Sequence, residues 1–370
     1  MKLPVGFILL AAPVALFGAQ EHFYIGDYTG PGRGEGIYES TLDTDTGKLG
    51  PVTLEVKADG PGYLALSPDG SRLYAVTSNG GGSVSAYAIG KDGSLTFLNQ
   101  VPSDGSGPCY VSVDPAGKNA LVANYGSGSV ASIKIKDDGS LGDAASRINF
   151  TGLGPNPNRQ TKPYGHFIAT DSTGRFVYAC DLGTDHVWSY HFDTASGKIM
   201  DSTDKVGMVP PGSGPRHLAF GPGEDFAYVN GEMGHNITVF KHDKITGSLE
   251  AIQTLPLDPN AGPRDGVTSA EVYVHPSGKW VYVSSRGDDI MAVFQIGADG
   301  KLTFIQDVPA LVKTPRGFGI DPTGHWLITG GQDDNQLAVL EIAQDTGKLT
   351  ATDQRTAARC PICILFAPEK

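Results

Sequence analysis

One unit recurs along almost the whole chain and limits what it can fold into. A short polar turn appears as "SPDG" (67–70), "DPAG" (114–117), "DSTG" (171–174), "GPGE" (221–224), "HPSG" (275–278) and "DPTG" (321–324). The second residues of these turns are spaced by 47, 57, 50, 54 and 46. An apolar strand precedes each turn, and another follows it as "RLYAVTS", "NALVANY", "RFVYACD", "DFAYVNG", "KWVYVSS" and "HWLITGG". A third strand comes next, as in "SVSAYAI" or "IMAVFQI", and most units then show "DGSL" or "TGKL" before a fourth. Four short strands at a period of about 50 residues are the signature of a β-propeller.

Six turns make six blades, and the two ends supply a seventh. "HFYIGDY" at 22–28 reads as a second strand lacking its first, while "CPICILFAPEK" at 360–370 reads as a first strand lacking its second. Pro368 follows Pro322 by 46 residues and so falls on the repeat. The expected fold is all-β: a seven-bladed β-propeller whose ring is closed by pairing of the C-terminal strand with the N-terminal blade. Closure leaves no open sheet edge. Residues 20–370 then form a single domain.

Composition agrees with many tight turns, since 50 Gly and 25 Pro accompany 39% hydrophobic residues in a chain of 370. A net charge of −12 argues against a nucleic-acid surface and leaves small ligands as the expected partners. The N-terminal "MKLPVGFILLAAPVALFGAQ" has one lysine and an apolar run from Leu3 to Phe17. That run is short for a membrane span and reads as a secretory signal over 1–19, cut near Gly18 to Gln20, so the protein is expected to be exported to the periplasm or secreted. No later segment has the length and apolarity of a membrane span. "CPIC" at 360–363 has metal or redox spacing, but no second pair completes a zinc set. Buried strand cysteines, or one structural disulfide, are the expectation for Cys109, Cys180, Cys360 and Cys363.

The repeat register also points to a site. In a hairpin, the start of the first strand and the end of the second lie together at the face opposite the turn. Counting back six residues from each turn's second position reaches Gly62, Cys109, His166, Arg216, Ala270 and Arg316. Counting back five reaches Tyr63, Tyr110, Phe167, His217, Glu271 and Gly317, and counting forward ten reaches Ser78, Tyr125, Leu182, Glu232, Arg286 and Gln332. First strands line the axis of a propeller, so these positions crowd one mouth of its channel. A competing reading makes the charges mere mutual partners in a wet channel, with His217 a packed core histidine and Glu271 the partner of an arginine. The mixed charge nevertheless suits a cleft that tunes proton affinities.

Taken together, "YIGDYT", "GPGYLALSPDG", "DLGTDHVWSY", "GPRHLAF", "SAEVYVHPSGKWVYVSSRGDD", "PRGFGIDPTG" and "CPICILF" resemble the seven-bladed lactonase family. That family comprises propeller-type 6-phosphogluconolactonases and the related fungal carboxy-muconate cyclase. The resemblance covers about residues 22–366. It implies an active centre of one histidine, two arginines and a glutamate, matching His166, Arg216, Glu232 and Arg286, which are also four of the register positions. Two departures stand out: "QTKPYGHF" replaces a histidine-rich run, and "NGEMG" places a glycine between Asn230 and Glu232. The second could slide Glu232 by one residue.

Lactone hydrolysis needs a base for water, donors for the tetrahedral oxyanion and contacts that fix the ring. Glu232 or His166 is the candidate base, and Arg216 and Arg286 are fork donors for an oxyanion, carboxylate or phosphate. His217, Glu271 and Arg316 are expected as substrate-binding contacts. No Gly-x-Ser-x-Gly elbow occurs. No cofactor is expected, and no metal, because the arginines would repel a cation from Glu232 and Glu271. Hydrolysis of a sugar lactone is the leading expectation, as in 6-phosphogluconolactonase. Phosphorylated sugars belong to the cytoplasm, so an exported enzyme would meet an unphosphorylated one. The alternatives are cycloisomerisation of carboxy-cis,cis-muconate and a non-catalytic propeller that binds a partner on its rim.

Overall fold

The computed structural model describes residues 20–78, 81–203, 206–261 and 264–367. The expected leader over 1–19 and the repeat position Pro368 lie outside the described residues. Seven antiparallel sheets form, and the innermost strands are Leu64–Leu66, Pro108–Val113, Gly165–Thr170, Pro215–Phe220, Thr268–Val274, Pro315–Ile320 and Pro361–Phe366. Blades 2 to 7 are numbered by the first six of these. Blade 1 takes Pro361–Phe366 as its inner strand and Gln20–Asp27 as its second, in register from Phe23 opposite Phe366 to Gly26 opposite Cys363. Each inner strand touches the next around the axis, and Pro361–Phe366 touches Leu64–Leu66. The ring therefore closes by the expected pairing of its two ends.

The second strands explain why the recurring strings are so apolar. Asn119–Asn124, Phe176–Asp181 and Trp326–Gly331 are buried at every residue, because blades stack face to face and cover both sides of these strands. Outer strands such as Leu349–Ala357 alternate with solvent instead. Each fully buried Val, Leu, Ile or Phe contributes roughly 1.5–3 kcal/mol, so this two-sided burial supplies most of the driving force.

A tyrosine ties neighbouring blades together. The hydroxyls of Tyr24, Tyr74, Tyr228 and Tyr282 donate to the carbonyls of Gly93, Gly139, Gly300 and Gly347, at 2.6, 3.0, 3.1 and 2.8 Å. These glycines lie in the "DG" and "TG" turns of the following blade. Tyr178 departs from the pattern, its hydroxyl lying 2.6 Å from His242 Nε2. Each ring is buried and its one polar atom is satisfied, so the turn and the tyrosine fix the stacking of blades jointly.

All four cysteines are free thiols. Cys360 and Cys363 bracket the start of one extended strand, and three residues of strand span about 10 Å, beyond the reach of a disulfide. Cys180, Cys360 and Cys363 are buried thiols as expected, Cys109 is half-buried, and the expected alternative of a disulfide does not occur.

Candidate active site

The register shifts at the start of several inner strands build the site. Opposite blade 5's second strand, pairing jumps between Pro215 and Leu218, leaving Arg216 and His217 as bulged residues. The same break isolates His166 between Gly165 and Phe167, Ala270 and Glu271 between Ser269 and Val272, and Arg316 between Pro315 and Gly317. A regular strand sends consecutive side chains to opposite faces, whereas a bulge re-aims them. Both Arg216 and His217 can therefore serve one channel. The bulged backbone stays satisfied: Asn230 Oδ1 accepts from His217 N at 3.0 Å, and Asn230 Nδ2 donates to Ala270 O at 3.0 Å.

These breaks surround a cavity of about 480 Å³ lined by His166, Arg216, His217, Glu232, Glu271, Arg286 and Arg316. All seven sequence-derived candidates are thus brought together. Tyr63, Cys109 and Tyr125, also register positions, line it as well, as does Tyr28. Arg159 lines it too and was not among the candidates.

Glu232 sits at the centre of the charges. Its Oε2 lies 3.2 Å from Arg216 Nε and 3.2 Å from Arg286 Nη2, and its Oε1 lies 2.7 Å from Arg159 Nη2. The extra glycine of "NGEMG" has not displaced it. A side chain at Gly231 would meet Asn236 Oδ1 at 2.3 Å and Ser213 at 3.1 Å, so the close loop approach there requires glycine. Burial raises the pKa of Glu232, but Arg286, Arg216 and their neighbours outweigh it and hold the carboxyl well below the usual range. It is a permanent anion that organises guanidinium groups, and a poor base.

The other groups differ in kind. Burial, then Arg216, pushes His166 well below the ordinary imidazole range, so it is neutral at pH 7. Its Nδ1 is buried and has no hydrogen-bond partner among the described residues, and the same is true of Arg286 Nε. Burial brings Arg286 down to about 10, which leaves it charged at neutral pH. Arg316 stacks over Tyr28, its guanidinium carbon 5.4 Å from the ring centroid. Glu271 Oε1 lies 2.6 Å from His217 Nδ1, and burial pushes its carboxyl up to about 7.

Arg159 reaches the site from the connection between blades 3 and 4. Gln160 anchors that loop, its Nε2 donating to Leu182 O at 2.9 Å and to Asp185 Oδ1 at 2.8 Å, while its Oε1 accepts from Asn156 N at 3.0 Å. The Arg159 side chain remains 40% exposed above the buried Glu232. The longest turn spacing, 57, was the signal available for it, because the surplus residues form this loop. Four guanidinium groups thus face two carboxylates in the cavity. The pocket suits an anion or a developing oxyanion, and the described residues hold no cluster of metal-ligating side chains.

Residues 22–366 match the family described as Lactonase, 7-bladed beta-propeller. A 6-phosphogluconolactonase of Bacillus subtilis is 35% identical over 346 residues, covering 93% of this chain and 97% of its own. One from Pectobacterium carotovorum is 30% identical, covering 86% of this chain and 92% of its own. Among solved structures, the periplasmic gluconolactonase of Pseudomonas aeruginosa superimposes with a TM-score of 0.88 at 28% identity, covering 95% of this chain and 99% of that one. With the ring closed through its two termini and the matched segment spanning all seven blades, the chain belongs to the seven-bladed β-propeller lactonase family.

Proposed function

We propose that this protein is a lactone hydrolase acting on a sugar lactone, with water as the nucleophile and the aldonic acid as product. The observation that carries this is the pair of guanidinium groups held 3.2 Å from one oxygen of Glu232. Two cations fixed by one buried anion are pre-organised donors, and they need not reorganise when charge appears on the substrate. In this reading Arg216 and Arg286 take the lactone carbonyl oxygen as it becomes an oxyanion. His166 contributes a ring nitrogen to the water or the ring oxygen, and Glu232 fixes the arginines. Arg316 and Arg159 contact the substrate's polar periphery. The names of the relatives, 6-phosphogluconolactonase and gluconolactonase, support the substrate class.

Export belongs to the same proposal. The apolar segment over 1–19 is a removable leader, residues 20–370 are one domain, and the substrate met outside the cytoplasm is unphosphorylated. The periplasmic location given for the Pseudomonas aeruginosa relative supports this. Hydrolysis of gluconolactone in ¹⁸O water tests the reaction. Label must enter the carboxylate faster than in the spontaneous reaction, and an unaccelerated rate overturns the reading. A cycloisomerase would turn over a carboxy-muconate without label.

A further inference from the structure

We propose that His217 takes the proton of the attacking water at Nε2 and passes its Nδ1 proton to Glu271, so that the two act as one base. This rests on the hydrolysis reading above. Glu232 is unsuited to the task, since three guanidinium groups occupy its oxygens. The His217 and Glu271 side chains are only 2% and 5% exposed, and both line the same cavity.

The hydrogen bonds set the tautomer. Arg216 Nη1 lies 3.2 Å from His217 Nε2 and 3.4 Å from Nδ1 and so does not choose between them. Glu271 does: its carboxylate oxygen Oε1 accepts from Nδ1 at 2.6 Å, which puts the proton of the neutral ring on Nδ1 and leaves the lone pair on Nε2. Glu271 Oε1 also accepts from Val272 N at 3.1 Å, and its backbone N donates to Ser284 Oγ at 3.0 Å. The carboxylate is held in place behind the imidazole. Glu271 is a positioning residue that stores the proton, and His217 is the group that meets water.

The surroundings favour a single shared proton. Arg216, Arg316 and Arg286 press on His217 from blades 5, 7 and 6, and together with burial they keep the imidazole from holding a positive charge. Tyr63, Tyr110, Tyr273 and Cys363 surround the carboxyl from blades 2, 3, 6 and 1 and are neutral, burial having raised each of them. His166, its ring centroid 5.1 Å from that of His217, is neutral too. Burial raises the Glu271 carboxyl and Arg216 and Arg316 pull it only part of the way back, so that it sits near 7, where a base at neutral pH is most effective.

The step balances as follows. As the water oxygen bonds to the carbonyl carbon, its proton moves to His217 Nε2 and the Nδ1 proton moves to Glu271. The carbonyl π pair goes to the oxygen, which becomes the oxyanion facing the arginines. When the oxyanion collapses, the ring C–O bond breaks. The leaving oxygen takes the proton back from Nε2 while Glu271 returns its own to Nδ1. The new carboxylic acid ionises and releases one proton to solvent.

The test is ¹⁵N NMR of histidine-labelled protein, with the His217 ring signals assigned by their loss in His217→Gln, together with kinetics of Glu271→Gln. In the wild type, Nε2 should be unprotonated above a midpoint near pH 7 and protonated below it, with Nδ1 changing in the opposite sense. Glu271→Gln keeps the hydrogen bond but cannot store the proton. It should abolish that exchange and lower kcat roughly 10²–10⁴-fold with KM within about threefold, removing the acidic limb of the pH profile. Glu271→Asp, which restores a carboxylate, should keep the titration. A wild-type His217 that shows no exchange between pH 5 and 9, or a Glu271→Gln enzyme with an unchanged kcat and limb, overturns the proposal. If the wild type turns over no lactone, the hydrolysis reading falls instead, while the titration still decides whether the pair shares a proton.

Discussion

Arg286 Nη2 lies 3.2 Å from Glu232 Oε2, although the two residues stand at the ends of second strands in different blades and are 54 positions apart in the chain. Arg286 Nη2 also donates to Ser269 O at 2.9 Å, so a side chain and a strand carbonyl together aim the guanidinium. Loss of this donor should lower kcat for lactone hydrolysis about 10²–10³-fold in Arg286→Ala. Arg286→Lys should not restore it, because an ammonium cannot reproduce the fork. Steady-state kinetics of the two variants checks both statements.

Glu232→Gln tests the buried anion. Removing one partner of a buried ion pair typically costs about 3–5 kcal/mol, and here it leaves guanidinium groups facing one another. Because the native pKa of Glu232 lies below the unfolded value of 4.5, its contribution is present above that value and fades as pH falls through the native one. Denaturant midpoints should therefore differ strongly between wild type and variant at pH 7 and converge in acid. Equal midpoints at pH 7 would contradict the ion-pair assignment.

Arg159 should act on binding more than on chemistry. It is part-exposed and borne on a loop, whereas Arg216 and Arg286 are fixed within blades. Arg159→Gln is expected to raise KM about tenfold with kcat within about threefold. Gln160→Ala should produce the same change indirectly, by freeing the loop from Leu182 and Asp185.

The inter-blade tyrosines should matter for stability alone. Tyr228→Phe and Tyr282→Phe each remove one hydroxyl that donates to a turn carbonyl, at 3.1 and 2.8 Å. A loss of about 0.5–1.5 kcal/mol per site in urea titration is expected, with unchanged kcat and KM. A large loss of activity would mean that blade stacking feeds directly into the site.

Much of this arrangement was legible in the sequence, for a physical reason. A propeller repeats one hairpin, so the turn strings locate each strand, and counting from Pro222 or Pro276 reaches Arg216, Glu232, Glu271 and Arg286 without any structure. The closure of the ring followed in the same way from "HFYIGDY" and "CPICILF". What could not be counted were departures from the repeat. The bulges that turn both Arg216 and His217 to use are backbone events set by pairing. Arg159 lies in surplus loop outside the repeat, where register assigns no direction to a side chain. Glu232 was a candidate base by residue type, and only the three guanidinium groups around it reveal the opposite role. The tyrosines of "LYAV", "FAYV" and "WVYV" recur at one position of the second strand, but the carbonyls they bond are in the next blade, which no count within one repeat reaches.

The most direct measurement is pH-stat proton release by the mature protein with gluconolactone and 6-phosphogluconolactone in parallel, corrected for spontaneous hydrolysis, in wild type and Arg286→Ala. A channel lactonase releases protons faster than background, favours the unphosphorylated substrate if the protein works outside the cytoplasm, and loses the excess in the variant. Release at the background rate from both lactones, or an excess that Arg286→Ala leaves intact, would contradict an active centre built on these arginines.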